Sequence, residues 1–163
     1  WRDCFETVFV NARVEGDAAE AVRAMVRSLS LRDPFGEVYD NLATIQRRWK
    51  TAVLSNADND FLQPLLVRLN FGFNAVLSSE TARAYKPHPY PFYRILEKLG
   101  LDPGETIYVG DSQFDDVLGA KGVGMGAIWV NRHDKPLNRD IPSPDYQVSS
   151  LAELPGILER WSK

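Results

Sequence analysis

A chain of 163 residues that is 44% hydrophobic and 25% charged holds enough apolar material for one compact domain plus a small appendage, which excludes a disordered segment. Its 19 Lys and Arg against 22 Asp and Glu leave a formal net charge of -3 and no basic stripe, so nucleic acid is set aside as a partner. The longest apolar runs are strand-sized, far below the roughly 20 residues that span a bilayer, and the single Cys4 has no metal-type Cys/His spacing around it. A soluble, cytoplasmic protein without a membrane partner is the expectation, with Cys4 as a small packing residue.

The chain opens Trp1-Arg2-Asp3-Cys4-Phe5, which is neither an initiator methionine nor a signal peptide, and processing, truncation or an incomplete gene is expected behind it. Trp1, Phe5, Val8 and Phe9 fall on one helical face. Asp17, with Glu20 three residues on, caps a helix from Ala18 to about Leu29, which Arg32-Asp33-Pro34-Phe35-Gly36 then breaks. A second helix, about residues 37–48, keeps Val38, Leu42 and Ile45 on one side.

From about residue 50 the texture changes to short β-branched runs alternating with amphipathic stretches, the pattern of βα units on a parallel sheet. Residues 50–54, 75–77, 106–109 and 127–130 read as buried strands. Residues 61–69, 89–99 and 116–121 carry apolar residues at helical spacing, with Gly100 and Gly122 as stops. A proline-bearing loop over 134–145, an edge strand at 146–148 and a helix from Ser150 complete the chain. The fold expected is α/β, a doubly wound Rossmann-like parallel sheet with flanking helices, divided into a helical part over 1–46 and an α/β core over 47–163.

In an open parallel sheet, ligands bind beyond the carboxyl ends of the strands. There this sequence places Ser55-Asn56 after the first strand, Lys86 in the loop after the second, and Gly110-Asp111-Ser112-Gln113-Phe114-Asp115-Asp116 after the third. A hydroxyl, an ammonium and carboxylates at one edge suit phosphoryl transfer, where catalysis is mostly positioning and charge neutralisation. Ser55 can donate to a phosphate oxygen beside the Asn56 backbone N–H at a helix start, and Lys86 can neutralise another oxygen. Asp111 can bind Mg²⁺, which usually takes one or two protein carboxylates, while Asp116 can orient Lys86 or a metal-bound water. Asp115 is read as a helix-start acid. His88 and His133 lie in loops and face solvent; Glu80 is a capping acid, and Trp49, Trp129 and Trp161 are packing residues.

Over about residues 34 to 154 these elements resemble the haloacid dehalogenase superfamily. Leu54-Ser55-Asn56 is similar to its second motif, Tyr85-Lys86-Pro87 with Pro89 to its third, and Val109-Gly110-Asp111-Ser112 through Asp115-Asp116 to its fourth. The resemblance implies an Mg²⁺-dependent phosphatase that hydrolyses a small phosphorylated metabolite through an aspartyl-phosphate. Substrate phosphate would meet Ser55, Asn56 and Lys86, Asp111 would hold the metal, and Lys86 and Asp116 would act in catalysis. Residues 1–46 would then be the remnant of a helical cap.

The superfamily's first motif, Asp-x-Asp-x-Thr after a central strand, supplies the nucleophile, and no such strand and motif precede the cap region. A longer parent protein is therefore expected, with the chain as given inactive. Asp3 and Thr7 have the motif's spacing, but only two residues precede them and Phe5 replaces the second acid, so a helix is the better reading. Three alternatives stand beside the phosphatase: a metal-free 2-haloacid dehalogenase, to which Ile128-Trp129-Val130-Asn131-Arg132 is similar but which usually lacks an acid at the Asp111 position; a non-catalytic protein on the same scaffold; and a receiver domain, whose acid pair comes early where this one comes late.

Overall fold

The computed structural model describes residues 1–161. In chain order the elements are α1 (Arg2–Ala12), α2 (Ala18–Ser30), α3 (Val38–Gln46), β1 (Ala52–Ser55), α4 (Asn59–Leu69), β2 (Ala75–Ser78), α5 (Ser79–Ala82), α6 (Pro89–Leu99) and β3 (Ile107–Gly110). A π-helical segment, Gln113–Leu118, then runs into α7 (Gly119–Gly122), followed by β4 (Gly126–Val130), β5 (Tyr146–Val148) and α8 (Leu154–Trp161). Among the described residues, no helix is long and apolar enough to cross a membrane.

Two compact units share the chain: Trp1–Asp33 with Ala57–Phe71, and Pro34–Asn56 with everything from Gly72 onward. The expected division at residue 46/47 thus falls inside the second unit, and α4, expected in the α/β core, packs on α2 in the helical unit. Composition shifts along a chain do not report which surface a later helix will cover.

In the helical unit, α2 starts where the Asp17 carboxylate accepts the Ala19 N–H at 2.8 Å, a bond that holds its carboxyl below the usual range. Arg68 on α4 reaches back to the end of α2, donating to the Ser30 carbonyl at 3.3 Å and pairing with Asp33 at 2.9 Å. Leu62, Ala18 and Ala57 are its buried apolar residues. α1 forms as its face predicts, yet buries none of its residues, and Cys4 is exposed rather than packed.

The α/β unit holds two parallel sheets. β1 pairs with β2 in the register Ala52 to Ala75 through Ser55 to Ser78; β4 lies between β3 and β5, with Gly110 opposite Trp129 and Val130 opposite Val148. β1 and β3, which carry Ser55 and lead to Asp111, belong to different sheets. Every residue of β4 is buried. Because successive side chains of a strand point to opposite faces, Ala127 and Trp129 enter a cluster with Leu54, Phe92, Ile95 and Val117, whereas Ile128 and Val130 enter another with Ile45, Leu154, Ile157 and Leu158. Helices cover both faces, which is the doubly wound arrangement expected.

Local chemistry sets the helix ends near the strand termini. Pro89 opens α6, the exposed His88 ring accepts the Tyr90 N–H at 3.2 Å, and Gly100 closes the helix at φ 64°. His88 is therefore solvent-facing, as expected, and also a helix cap. The helix expected from 116 begins three residues earlier, because the Ser112 hydroxyl accepts the Asp115 N–H at 3.0 Å and caps it.

Candidate active site

Three strand ends deliver polar side chains to one place in the α/β unit. Lys86 is its centre: the ammonium lies 2.6 Å from the Asp116 carboxylate and donates to the Tyr108 hydroxyl at 2.8 Å. The Lys86 and Asp116 side chains are only 10% and 5% exposed, so this is an interior ion pair. The other Asp116 oxygen accepts the Ser112 N–H at 2.9 Å, which satisfies both ends of the carboxylate. Gly110 makes room for it, since a Cβ there would overlap the Asp116 carboxylate.

The backbone of Lys86 is fixed as firmly as its head. The Asn56 side-chain carbonyl accepts the Lys86 N–H at 2.8 Å while the Asn56 amide donates to the Lys86 carbonyl at 3.1 Å. One residue before Ser55, the Leu54 carbonyl accepts the Tyr108 hydroxyl at 2.8 Å. Ser55 is thus flanked on both sides by residues bonded to the Lys86–Tyr108 group, and it does not cap α4, whose first residue follows Asp58.

Among the three acids after β3, the environments differ. Asp116 is buried and paired; Asp115 accepts the Ser112 hydroxyl at 2.9 Å in a reciprocal cap, the structural role assigned to it from sequence. Asp111 is exposed, and its carboxylate accepts no hydrogen bond among the described residues. Its backbone is pinned instead, the Asp111 carbonyl accepting the indole N–H of buried Trp129 at 3.1 Å. For a Mg²⁺ ion this donor set amounts to one free carboxylate: among the described residues no three acids, histidines or cysteines gather into a metal-binding group. One carboxylate fits a cation that fills its remaining positions with water and substrate oxygens.

Two features escaped the sequence reading. Asn56, placed there for its backbone N–H, works through its side chain as a clamp on Lys86. Tyr108 received no role, although a phenol on the inward side of a short strand has to find a partner for its hydroxyl, which is the signal that singles it out. Burial, followed by the charge of Asp116, pushes the Tyr108 phenol well above its ordinary pKa of 10.0, so the hydroxyl stays protonated. His133 is exposed, and Trp129 is 1% exposed in the core as expected of a packing residue.

Comparison with known proteins gives this geometry a context. Residues 1–130 match the family model of the haloacid dehalogenase-like hydrolases. N-acylneuraminate-9-phosphatase of Homo sapiens is 36% identical over 88 residues, covering 53% of this chain and 36% of that protein. Haloacetate dehalogenase H-2 of Moraxella sp. (strain B) is 30% identical over 139 residues, covering 83% of this chain and 61% of that protein. The solved structure of 2-haloacid dehalogenase from Pseudomonas syringae pv. Tomato DC3000 aligns at a TM-score of 0.77 and 30% identity, over 88% of this chain and 61% of that one. In each case the chain spans less than two thirds of its relative's length. Phosphatases and dehalogenases both stand among the relatives, and the chain belongs to the haloacid dehalogenase-like hydrolase family.

Proposed function

We propose that this chain carries the phosphate- and metal-binding half of a Mg²⁺-dependent phosphatase acting on a small phosphorylated metabolite through an aspartyl-phosphate. The observation that carries the reading is the buried Lys86–Asp116 pair, bonded through Asn56 and Tyr108 to the residues on either side of Ser55, with a free carboxylate at Asp111. Ser55 offers a hydroxyl to one phosphate oxygen and Lys86 a cation to another. Desolvation by the core around Lys86 strengthens that attraction, because the same charges act in a medium less polarisable than water. Asp116 holds the Lys86 head and keeps its charge balanced before substrate arrives. Asp111 would hold a bound Mg²⁺, which supplies neutralisation of charge on the transferring phosphoryl group. The attacking carboxylate belongs to the first motif, Asp-x-Asp-x-Thr, which does not occur in these 163 residues.

A second reading is favoured by a different observation: the dehalogenase of Moraxella matches over 83% of the chain, more than the human phosphatase does. Such chemistry uses the Ser and Lys without a metal. The acid at Asp111 argues for phosphate chemistry over it. The deciding experiment measures release of p-nitrophenol from p-nitrophenyl phosphate and of chloride from 2-chloropropionate, with Mg²⁺ and with chelator, for the wild-type chain and Asp111→Asn. Mg²⁺-dependent phosphatase turnover that appears only once a strand bearing Asp-x-Asp-x-Thr is supplied, and that Asp111→Asn abolishes, supports the proposal; turnover by the chain alone would place the nucleophile within these residues, and metal-independent chloride release overturns the proposal in favour of a dehalogenase. Absence of both until a strand bearing Asp-x-Asp-x-Thr is supplied assigns this chain the binding half alone.

A further inference from the structure

We propose that Tyr108 is a positioning residue: through its hydroxyl it fixes the Lys86 ammonium and leaves one N–H of that ammonium aimed at the substrate anion. The proposal rests on the reading of Lys86 as the cation that meets phosphate. The bond directions are forced. A carbonyl oxygen has no hydrogen to give, so the Tyr108 hydroxyl donates to Leu54, and an ammonium has no lone pair, so the same oxygen accepts from Lys86. With its phenol raised far above neutrality, the hydroxyl keeps this donor-acceptor polarity across the physiological range.

An ammonium has three hydrogens. Among the described residues Asp116 takes one and Tyr108 the second, which leaves a single N–H uncommitted. The phenol itself is immobile, because its ring packs edge-on against Phe92 at 5.3 Å between centroids, and Phe92 is fully buried. Lys86 lies at the hydroxyl end of the ring, 5.2 Å from the centroid, so removal of one oxygen takes away the contact and keeps the packing. Without it, the Lys86 head is tethered at Asp116 alone and rotates about that contact.

The test uses the whole chain with side-chain ¹⁵N-labelled lysine, the Lys86 ammonium resonance being assigned by its loss in Lys86→Arg, and inorganic phosphate as the probe. In wild type a slowly exchanging Lys86 ammonium signal that shifts on phosphate addition is expected. In Tyr108→Phe, with near-ultraviolet circular dichroism unchanged, its hydrogen exchange should quicken and phosphate binding weaken about tenfold, equivalent to about 1.4 kcal/mol. An unchanged resonance and exchange rate in Tyr108→Phe overturns the proposal. If phosphate leaves the wild-type Lys86 signal unmoved while Tyr108→Phe still frees the ammonium, the phosphate reading fails and the positioning role stands. Should Tyr108→Phe disturb the fold, 3-fluorotyrosine at 108 keeps ring and hydroxyl while weakening the oxygen as an acceptor. Faster Lys86 exchange in that protein supports the role, and an unaltered rate removes it.

Discussion

The helical unit and the α/β unit are held by different means. α1 buries none of its residues, and Trp1, Val8 and Val10 are 61%, 55% and 76% exposed, so that unit rests on Ala18, Ala57, Leu62 and the polar reach of Arg68. In the α/β unit Phe92, Val117, Ile128 and Trp129 are 0 to 1% exposed, and β4 is buried along its whole length. Stability within one chain is not uniform, and segments with few buried apolar contacts open first. The Lys86 cluster is built on the better-packed unit, where neighbouring side chains restrict each functional group to one geometry.

The contrast can be broken from the core outward. Phe92→Ala removes the ring that fills the space beside Gly119 and braces Tyr108; a loss of about 3–5 kcal/mol is expected by chemical denaturation. Lys86→Met leaves the Asp116 carboxylate buried without its cation and should also cost about 3–5 kcal/mol, whereas Lys86→Met with Asp116→Leu should recover much of it. A double variant no more stable than the single one would show that the pair is not desolvated. Gly110→Ala pushes a methyl group against the Asp116 carboxylate, and about 1–3 kcal/mol of destabilisation with a displaced Lys86 is expected.

A smaller effect tests the α/β unit through pH. Glu37 accepts from Arg132 at 2.6 Å and from the Ser150 hydroxyl at 3.2 Å, with the Arg132 guanidinium 3.9 Å from the centre of the Phe35 ring. A backbone N–H, its own, and next Arg132 hold its carboxyl below the ordinary value of 4.5. A carboxyl depressed by folding stabilises the folded chain above its unfolded pKa and loses that contribution as pH falls through the folded one. The difference in melting temperature between wild type and Arg132→Met should therefore be present at neutral pH and shrink below about pH 4.5; a constant difference would assign the role of Arg132 to packing on Phe35. Smallest of all, Val8→Ala and Val10→Ala on α1 should change stability by no more than about 0.5 kcal/mol. A larger loss would mean that the exposed face of α1 is covered in solution.

Strands and the polar groups at their ends, the candidate site residues, were legible because their signals are local. Short β-branched runs ending in polar residues mark β1 to β4 to within two residues, and Ser55, Lys86, Asp111 and Asp116 stand out as charged or hydroxyl groups after apolar runs. The division of the chain was not legible in this way. α4 follows β1 directly and has ordinary helical spacing, yet it belongs with α2, a fact recorded in side-chain complementarity between segments far apart in sequence. Cys4 looked like a packing residue by type and is exposed because α1 has no buried face.

The order of elements, the parallel α/β class and the identity of the polar groups at the strand ends follow from the sequence alone, since periodicity and chain order are one-dimensional properties. Which groups touch is three-dimensional. Asn56 lies 30 residues from the Lys86 backbone it clamps, Tyr108 lies 54 residues from the Leu54 carbonyl that accepts its hydrogen bond, and Asp116 reaches Lys86 only because Gly110 has no side chain. Bonds across such separations are set by strand register and packing, which close only when the whole unit folds, and so the contacts of Lys86 with Asn56 and Tyr108, and the choice of Asp116 for Lys86 between the two partners the sequence left open, were decided by the tertiary structure.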